Sequence, residues 1–69
     1  MQPIMTEYRT GAEWRLDGKF HRTDGPAVIW KNGDVAWFLH DIEMPFNEWL
    51  DQNPDMTNEE KVMMKLQYG

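Results

Sequence analysis

The chain has 69 residues, 28% of them charged, and a formal net charge of −5. This length allows one domain with one small core, and the absence of cysteine excludes disulfides and thiolate metal sites as sources of stability. Four tryptophans are the alternative source, because each buried indole removes a large apolar area from water. No run approaches the roughly 18 apolar residues of a membrane helix, and no signal-peptide pattern opens the chain, so we expect a soluble intracellular protein.

The sequence pattern of residues 4–17 predicts a β-hairpin. From Ala12 to Asp17, apolar and charged residues alternate, which is typical of a half-buried strand. A three-residue loop ending at Gly11 would set Ile4, Thr6 and Tyr8 opposite apolar residues of the second strand, all on one face. It would also give Gly11 the left-handed conformation that such loops require. We therefore expect this register, with Thr6 opposite Trp14, rather than that of a two-residue loop.

Three groups of turn residues follow the first hairpin: Asp17-Gly18, Asp24-Gly25-Pro26 and Asn32-Gly33. A two-residue turn at Asn32-Gly33, with positive φ at both residues, would pair Trp30 with Val35 and Val28 with Trp37. The predicted structural turn residues are Gly11, Asp17, Gly18, Asp24, Gly25, Pro26, Asn32 and Gly33.

The stretch from Asp17 to Ala27 reads Asp-Gly-Lys-Phe-His-Arg-Thr-Asp-Gly-Pro-Ala, and Trp30, Asn32-Gly33 and Trp37 follow it. It resembles short repeats of bacteriophage and large DNA virus proteins. Their pattern is Asn/Asp-Gly-Lys-x-His-Arg-x-Asp-Gly-Pro-Ala, then two aromatic strands around Asn-Gly. The resemblance covers roughly the first two thirds of the chain and implies a viral origin and a MORN-like string of hairpins, but no activity. The motif does not recur after Trp37, so we expect about one and a half repeats.

The spacing becomes helical from Pro45. Phe46, Trp49 and Leu50 lie at i, i+3 and i+4, and Asn53-Pro54 ends the segment. Thr57 and Glu60 form a capping box that opens a second helix, through about Tyr68.

We expect the second helix to cover one face of the sheet with Val62, Met63 and Leu66. Met64 and Tyr68 would then form a smaller exposed apolar pair. The predicted fold class is α+β: an antiparallel β-meander of four to six short strands capped by two C-terminal helices. It forms a single domain of residues 1–69, with hairpin repeats over 1–44 and a helical cap over 45–69.

The sequence contains little that points to a catalytic or metal-binding site. His21-Arg22-x-Asp24 has the residue types of a base and its orienter, but the chain has no serine or cysteine, and Thr23 is a poor nucleophile. We expect these residues to shape a turn. A metal site would need His21 and His40 to converge with carboxylates, and their spacing does not favour it. The predicted protein is not an enzyme and has no cofactor or metal.

Charge is distributed unevenly. Residues 1–31 carry a net +1 and residues 32–69 a net −6, with no Lys or Arg from Asn32 to Glu60. Such a field repels phosphate backbones, which disfavours direct nucleic-acid binding even though exposed aromatic rings could stack on bases. It would attract a basic protein surface, or it could simply aid solubility.

These observations favour a virus-encoded, acidic, non-enzymatic accessory module that binds a host or viral protein in the cytoplasm of the infected cell. Phosphate mimicry is one form of that binding. The alternative is a homo-oligomeric structural or virion-associated module. The predicted partner-binding residues are Glu48, Asp51, Met64 and Tyr68, and we expect no membrane contact.

Overall fold

The computed structural model describes residues 2–68 and contains six strands followed by two helices. The strands are β1 (Ile4–Tyr8), β2 (Gly11–Leu16), β3 (Lys19–Phe20), β4 (Val28–Trp30), β5 (Val35–Leu39) and β6 (Ile42–Met44); the helices are α1 (Phe46–Gln52) and α2 (Asn58–Tyr68). The antiparallel sheet has the order β1-β2-β4-β5-β6, and β3 also pairs with β2. The predicted α+β meander with two C-terminal helices is confirmed. Met1 and Gly69, the ends of the predicted domain, lie outside the described residues.

The hydrophobic core lies on the last two strands of the sheet, β5 and β6, where α1 packs on β5. Its buried side chains are Trp37, Leu39, Met44, Trp49, Leu50 and Met64. Trp37 and Leu39 alternate along β5 and therefore point to the same face of the sheet. The core thus joins the last two strands to both helices.

Trp49 connects α1 to the rest of the molecule. Its side chain is fully buried, and its ring centroid lies 4.5 Å from that of Trp37. The indole Nε1 donates a hydrogen bond to the Arg22 carbonyl at 3.0 Å. A second bond, from the buried Asn53 side-chain amide to the Thr23 carbonyl, fixes the end of α1 to the same loop of residues 21–27. The loop and the helix are therefore held as one unit.

The predicted register of the first hairpin is wrong. Tyr8 pairs with Gly11 and Met5 with Trp14 across a two-residue loop, so Ile4, Thr6 and Tyr8 do not share a face with Trp14. All five residues of β1 are exposed. Because neither face of β1 is buried, the hydrophobic pattern does not enforce a register there.

Gly11 has a positive φ, as predicted, and is needed for a second reason as well. It is the first residue of β2, with φ +152, and lies between β1 and β4. A Cβ atom there would come within 2.0 Å of the Ile29 carbonyl oxygen. The glycine therefore permits a close approach of two strands.

The hairpin at Asn32-Gly33 is confirmed, but its predicted register is one residue out. Ile29 pairs with Val35 and Val28 with Ala36, which leaves a three-residue loop. Gly33 has φ +96, whereas Asn32 does not have positive φ. The Asn32 side-chain oxygen accepts the Asp34 backbone N–H at 2.9 Å, and this local bond suits the longer loop with a glycine bulge.

The hairpin turn between β5 and β6 was not predicted. Asp17 and Gly18 form the expected tight turn, with φ of 53° and 79°. His40 and Asp41, each 23 positions further on, repeat this left-handed conformation with φ of 51° and 70° and connect β5 to β6. Phe20 supports the strained turn, because the Asp41 N–H donates to its carbonyl at 2.8 Å and its own N–H donates to Asp41 Oδ1 at 3.2 Å. The hairpin geometry therefore continues beyond the recognisable motif.

Both helix predictions are confirmed. Pro45 precedes α1 and Asn53 ends it. The capping box forms as expected: the Glu60 N–H donates to the Thr57 hydroxyl at 3.2 Å, and the Thr57 N–H donates to the Glu60 carboxylate at 3.1 Å. No helix among residues 2–68 is long and apolar enough to cross a membrane.

We expect Gly11→Ala to destabilise the fold by at least about 2 kcal/mol, because the methyl group would collide with the Ile29 carbonyl. Gly18→Ala is the matched control: its φ is also positive, but a Cβ there meets nothing within 4 Å. The control should lose only about 1–2 kcal/mol, from the left-handed conformation alone. Urea unfolding of both variants measures the difference, and equal losses would contradict the close approach of the strands.

Candidate partner-binding surface

The second helix exposes a wide apolar face. Val62, Met63 and Leu66 are 56%, 66% and 79% exposed. They lie together on the side of α2 that points away from the core, and we call them the α2 outer face. The prediction that these three residues cover the sheet is wrong.

Met64, predicted to be exposed together with Tyr68, is buried instead, whereas Tyr68 is exposed as predicted. Met64 is 9% exposed and belongs to the core, and the Tyr68 ring packs edge-on against Trp37 with centroids 5.0 Å apart. The aromatic rings of β5 and α1 offer a packing surface to a long, adaptable methionine and a second ring. Met64 is therefore not accessible to a partner, and the most exposed apolar residues of α2 are those on the opposite side of the helix.

Acidic side chains are exposed on both helices. Glu48 and Asp51, predicted to bind a partner, are both exposed on α1, where Glu48 accepts a hydrogen bond from Gln52 at 3.2 Å. Glu59 and Glu60 lie in the first turn of α2, and Glu60 is engaged in the capping box. Both helices therefore present carboxylates to solvent.

A groove of about 730 Å³ lies beside α1 and contains both histidines. The rings of His21 and His40 are 4.4 Å apart, and Glu43, Glu48 and Asp55 also line the groove. The spacing of the two histidines did not favour this convergence, because it depends on the hairpin turn at His40, which was not predicted. Among the described residues, no group of three or more His, Asp or Glu side chains is arranged to hold a metal ion.

His21 is a structural acceptor in this groove. Its ring is buried, and its Nδ1 accepts the His40 backbone N–H at 3.0 Å, which requires an unprotonated nitrogen. Burial lowers the pKa of His21, and the neighbouring His40 lowers it further, while Asp55 opposes them. The neutral imidazole thus helps to hold the strained His40-Asp41 turn.

The rest of the His21-Arg22-x-Asp24 motif is occupied by structural bonds. Arg22 Nε donates to Asp24 at 2.8 Å, and its Nη1 donates to the Pro26 carbonyl at 3.1 Å. The guanidinium also lies 3.8 Å from the centre of the Trp14 ring. Gly25 packs directly against Arg22, and a Cβ there would come within 2.7 Å of the guanidinium carbon. These contacts organise the loop of residues 21–27.

No family model, no curated protein and no solved structure matches this chain.

We expect stability to fall as the pH drops below the ordinary histidine pKa of 6.5, in part through His21. The unfolded chain binds this proton more tightly than the folded protein, so protons favour unfolding until the pH passes below the lowered pKa of His21. Thermal melts between pH 7.5 and about 5 measure the slope. His21→Asn keeps an acceptor in place of Nδ1 without titrating and should flatten that slope. An unchanged slope in this variant would contradict the role of His21.

Two substitutions test which face of α2 is buried. Met64→Ala should destabilise the protein by about 2 kcal/mol or more, because it leaves a cavity in the core. Leu66→Ala removes a solvated side chain and should change stability by less than about 0.5 kcal/mol. Chemical denaturation of both variants measures the loss of unfolding free energy. A larger loss for Leu66→Ala than for Met64→Ala would mean that the helix packs by its other face.

Proposed function

We propose that this protein is a non-enzymatic protein-binding module that uses the α2 outer face as its docking surface. The observation that supports this most directly is the exposure of Val62, Met63 and Leu66 on one side of a helix whose other side is in the core. Large apolar side chains grouped on the solvent side of a helix cost solubility, and such groups mark interaction sites. A methionine among them suits an adaptable contact.

The chemistry of the partner follows from the α2 outer face and from the charges exposed on both helices. A helix that presents apolar residues at i, i+1 and i+4 fits a hydrophobic groove. Exposed carboxylates on both helices, including Glu48, Asp51 and Glu59, favour a groove with a basic rim. The partner is therefore a protein with an apolar groove flanked by Lys or Arg side chains, and the same charges disfavour nucleic acid.

The biological setting rests on the motif between Asp17 and Ala27. Its resemblance to repeats of phage and large DNA virus proteins supports a virus-encoded accessory protein acting on a host or viral protein in the cytoplasm of the infected cell. The absence of serine and cysteine, together with the structural bonds of Arg22 and Asp24, supports a role without catalysis. Phosphate mimicry by the carboxylates is a variant of the same docking.

Capture experiments with matched variants test the docking surface. Leu66→Asp places a charge at the centre of the α2 outer face, and Gln67→Asp places the same charge about 100° around the helix. Captured proteins from host lysate are compared by mass spectrometry. A genuine partner should bind Leu66→Asp at least about tenfold more weakly and should bind Gln67→Asp as it binds the wild type. Partners that all bind Leu66→Asp normally would contradict this surface.

The contribution of the exposed carboxylates on α1 can be measured by binding kinetics. Charge reversal at Glu48 and Asp51 together should slow association with the captured partner and leave dissociation nearly unchanged. The difference from wild type should shrink at high salt, because steering is screened over about 10 Å at 0.1 M. Stopped-flow or surface-based kinetics at two salt concentrations measure it. Salt-independent rates for wild type would show that the carboxylates do not guide the partner.

A further inference from the structure

The outer edge of β1 is uncovered along its whole length. All five residues of Ile4–Tyr8 are exposed, and within residues 2–68 the strand pairs only with β2. The strand itself contains no lysine and no proline, although Pro3 directly precedes it and Glu7 is its one charged residue. The opposite edge, β6, has only three residues, against five in β1, and its last residue, Met44, is buried. Among the strands of residues 2–68, β1 is therefore the longest open edge available for pairing.

The hydrogen bonds of Trp14 show which β1 groups are free. The Trp14 N–H donates to the Ala27 carbonyl at 2.8 Å, and its carbonyl accepts from the His21 N–H at 3.1 Å, both on the side away from β1. Met5, which faces Trp14, is thus in a non-hydrogen-bonded pair, and its own N–H and C=O point to the open edge. By the alternation of an antiparallel ladder, the same holds for Glu7.

We propose that β1 pairs with β1 of a second copy of this chain, antiparallel, with the two-fold axis at Thr6. In this register Met5 of each copy lies opposite Glu7 of the other, so every outward N–H and C=O of these two residues finds a partner. Ile4 then lies beside Tyr8 of the second copy, twice by symmetry. Aliphatic–aromatic cross-strand pairs of this kind stabilise sheets. Shifting the centre to Glu7 would put like charges opposite each other.

Charge distribution favours a second copy at this edge. Residues 1–31 carry a net +1, because their five basic side chains balance four acidic ones. The other eight of the twelve acidic residues lie beyond Asn32, toward the other end of the sheet order and on the helices. Residues 32–69 begin at least two strands away from β1, and neighbouring strands lie about 4.8 Å apart. In each copy this acidic segment therefore lies roughly a Debye length or more from the two-fold axis. Pairing through β1 therefore avoids most of the repulsion between two chains of net charge −5.

This inference goes beyond the proposed function and does not depend on it. If both hold, the dimer carries two α2 outer faces and binds a multivalent partner with avidity. Loss of dimerisation would leave capture by a single α2 outer face intact, so the two proposals fail separately.

Cysteine cross-linking reads the register directly, because the chain has no cysteine of its own. Thr6→Cys would place the two thiols in a non-hydrogen-bonded pair across the axis, within the Cα separation of about 4.4–6.8 Å that a disulfide needs. Ile4→Cys is the matched control on the same face of β1. Its Cα atoms would be about 14 Å apart, too far to bridge. Under mild oxidation, Thr6→Cys should form covalent dimers and Ile4→Cys should not.

Sedimentation equilibrium tests the pairing without cross-linking. The wild type should approach twice the monomer mass of 8.3 kDa as its concentration rises. Met5→Pro removes an outward N–H that β2 does not use and should be monomeric. Should Met5→Pro misfold by circular dichroism, Met5→Glu, which faces Glu7 of the second copy, should weaken dimerisation at least about tenfold, and Met5→Lys should not.

Two results would overturn the proposal. One is a wild type that stays monomeric at about 1 mM, whether or not another protein's strand binds β1. The other is equal cross-linking of Thr6→Cys and Ile4→Cys, which would show random collision rather than a defined axis.

Discussion

The contact on which this fold depends is that of Trp49 with Trp37. Trp49 is fully buried, and its single polar atom is satisfied by the Arg22 carbonyl. It therefore packs the first helix against β5 and at the same time fixes the loop of residues 21–27. Truncation of a tryptophan in such a position typically costs about 3–5 kcal/mol, a large part of the stability of a domain this small. Met64 and Tyr68 then pack around the tryptophan pair, which determines the orientation of α2.

The sequence predicted the elements well where local chemistry decides them. The Thr57–Glu60 capping box, the Pro45 and Asn53 limits of α1 and the Asp17-Gly18 turn are short-range features, and all are present. The registers of both predicted hairpins were one residue out. Register is strongly specified only where one face of a strand is buried, and β1 is exposed on both.

The candidate site was predicted less well because it depends on packing between distant elements. α2 has apolar residues on two sides, and the sequence pattern alone does not show which side is buried. The larger group, Val62, Met63 and Leu66, was the natural choice for the core, yet Trp37 and Phe46 are contacted by Tyr68 instead. The pairing of His21 with His40 was missed for a related reason, since a left-handed turn without glycine has no clear sequence signal.

The placement of the four tryptophans gives the molecule separate optical reporters. Trp37 and Trp49 are close enough for their transitions to couple, so near-ultraviolet circular dichroism would follow the docking of α1 on the sheet. Trp14 lies under the Arg22 guanidinium and reports on the loop of residues 21–27, and Trp30 is solvent-exposed on β4. Loosening of the helices and fraying of the N-terminal strands would therefore give different spectroscopic changes, without any label.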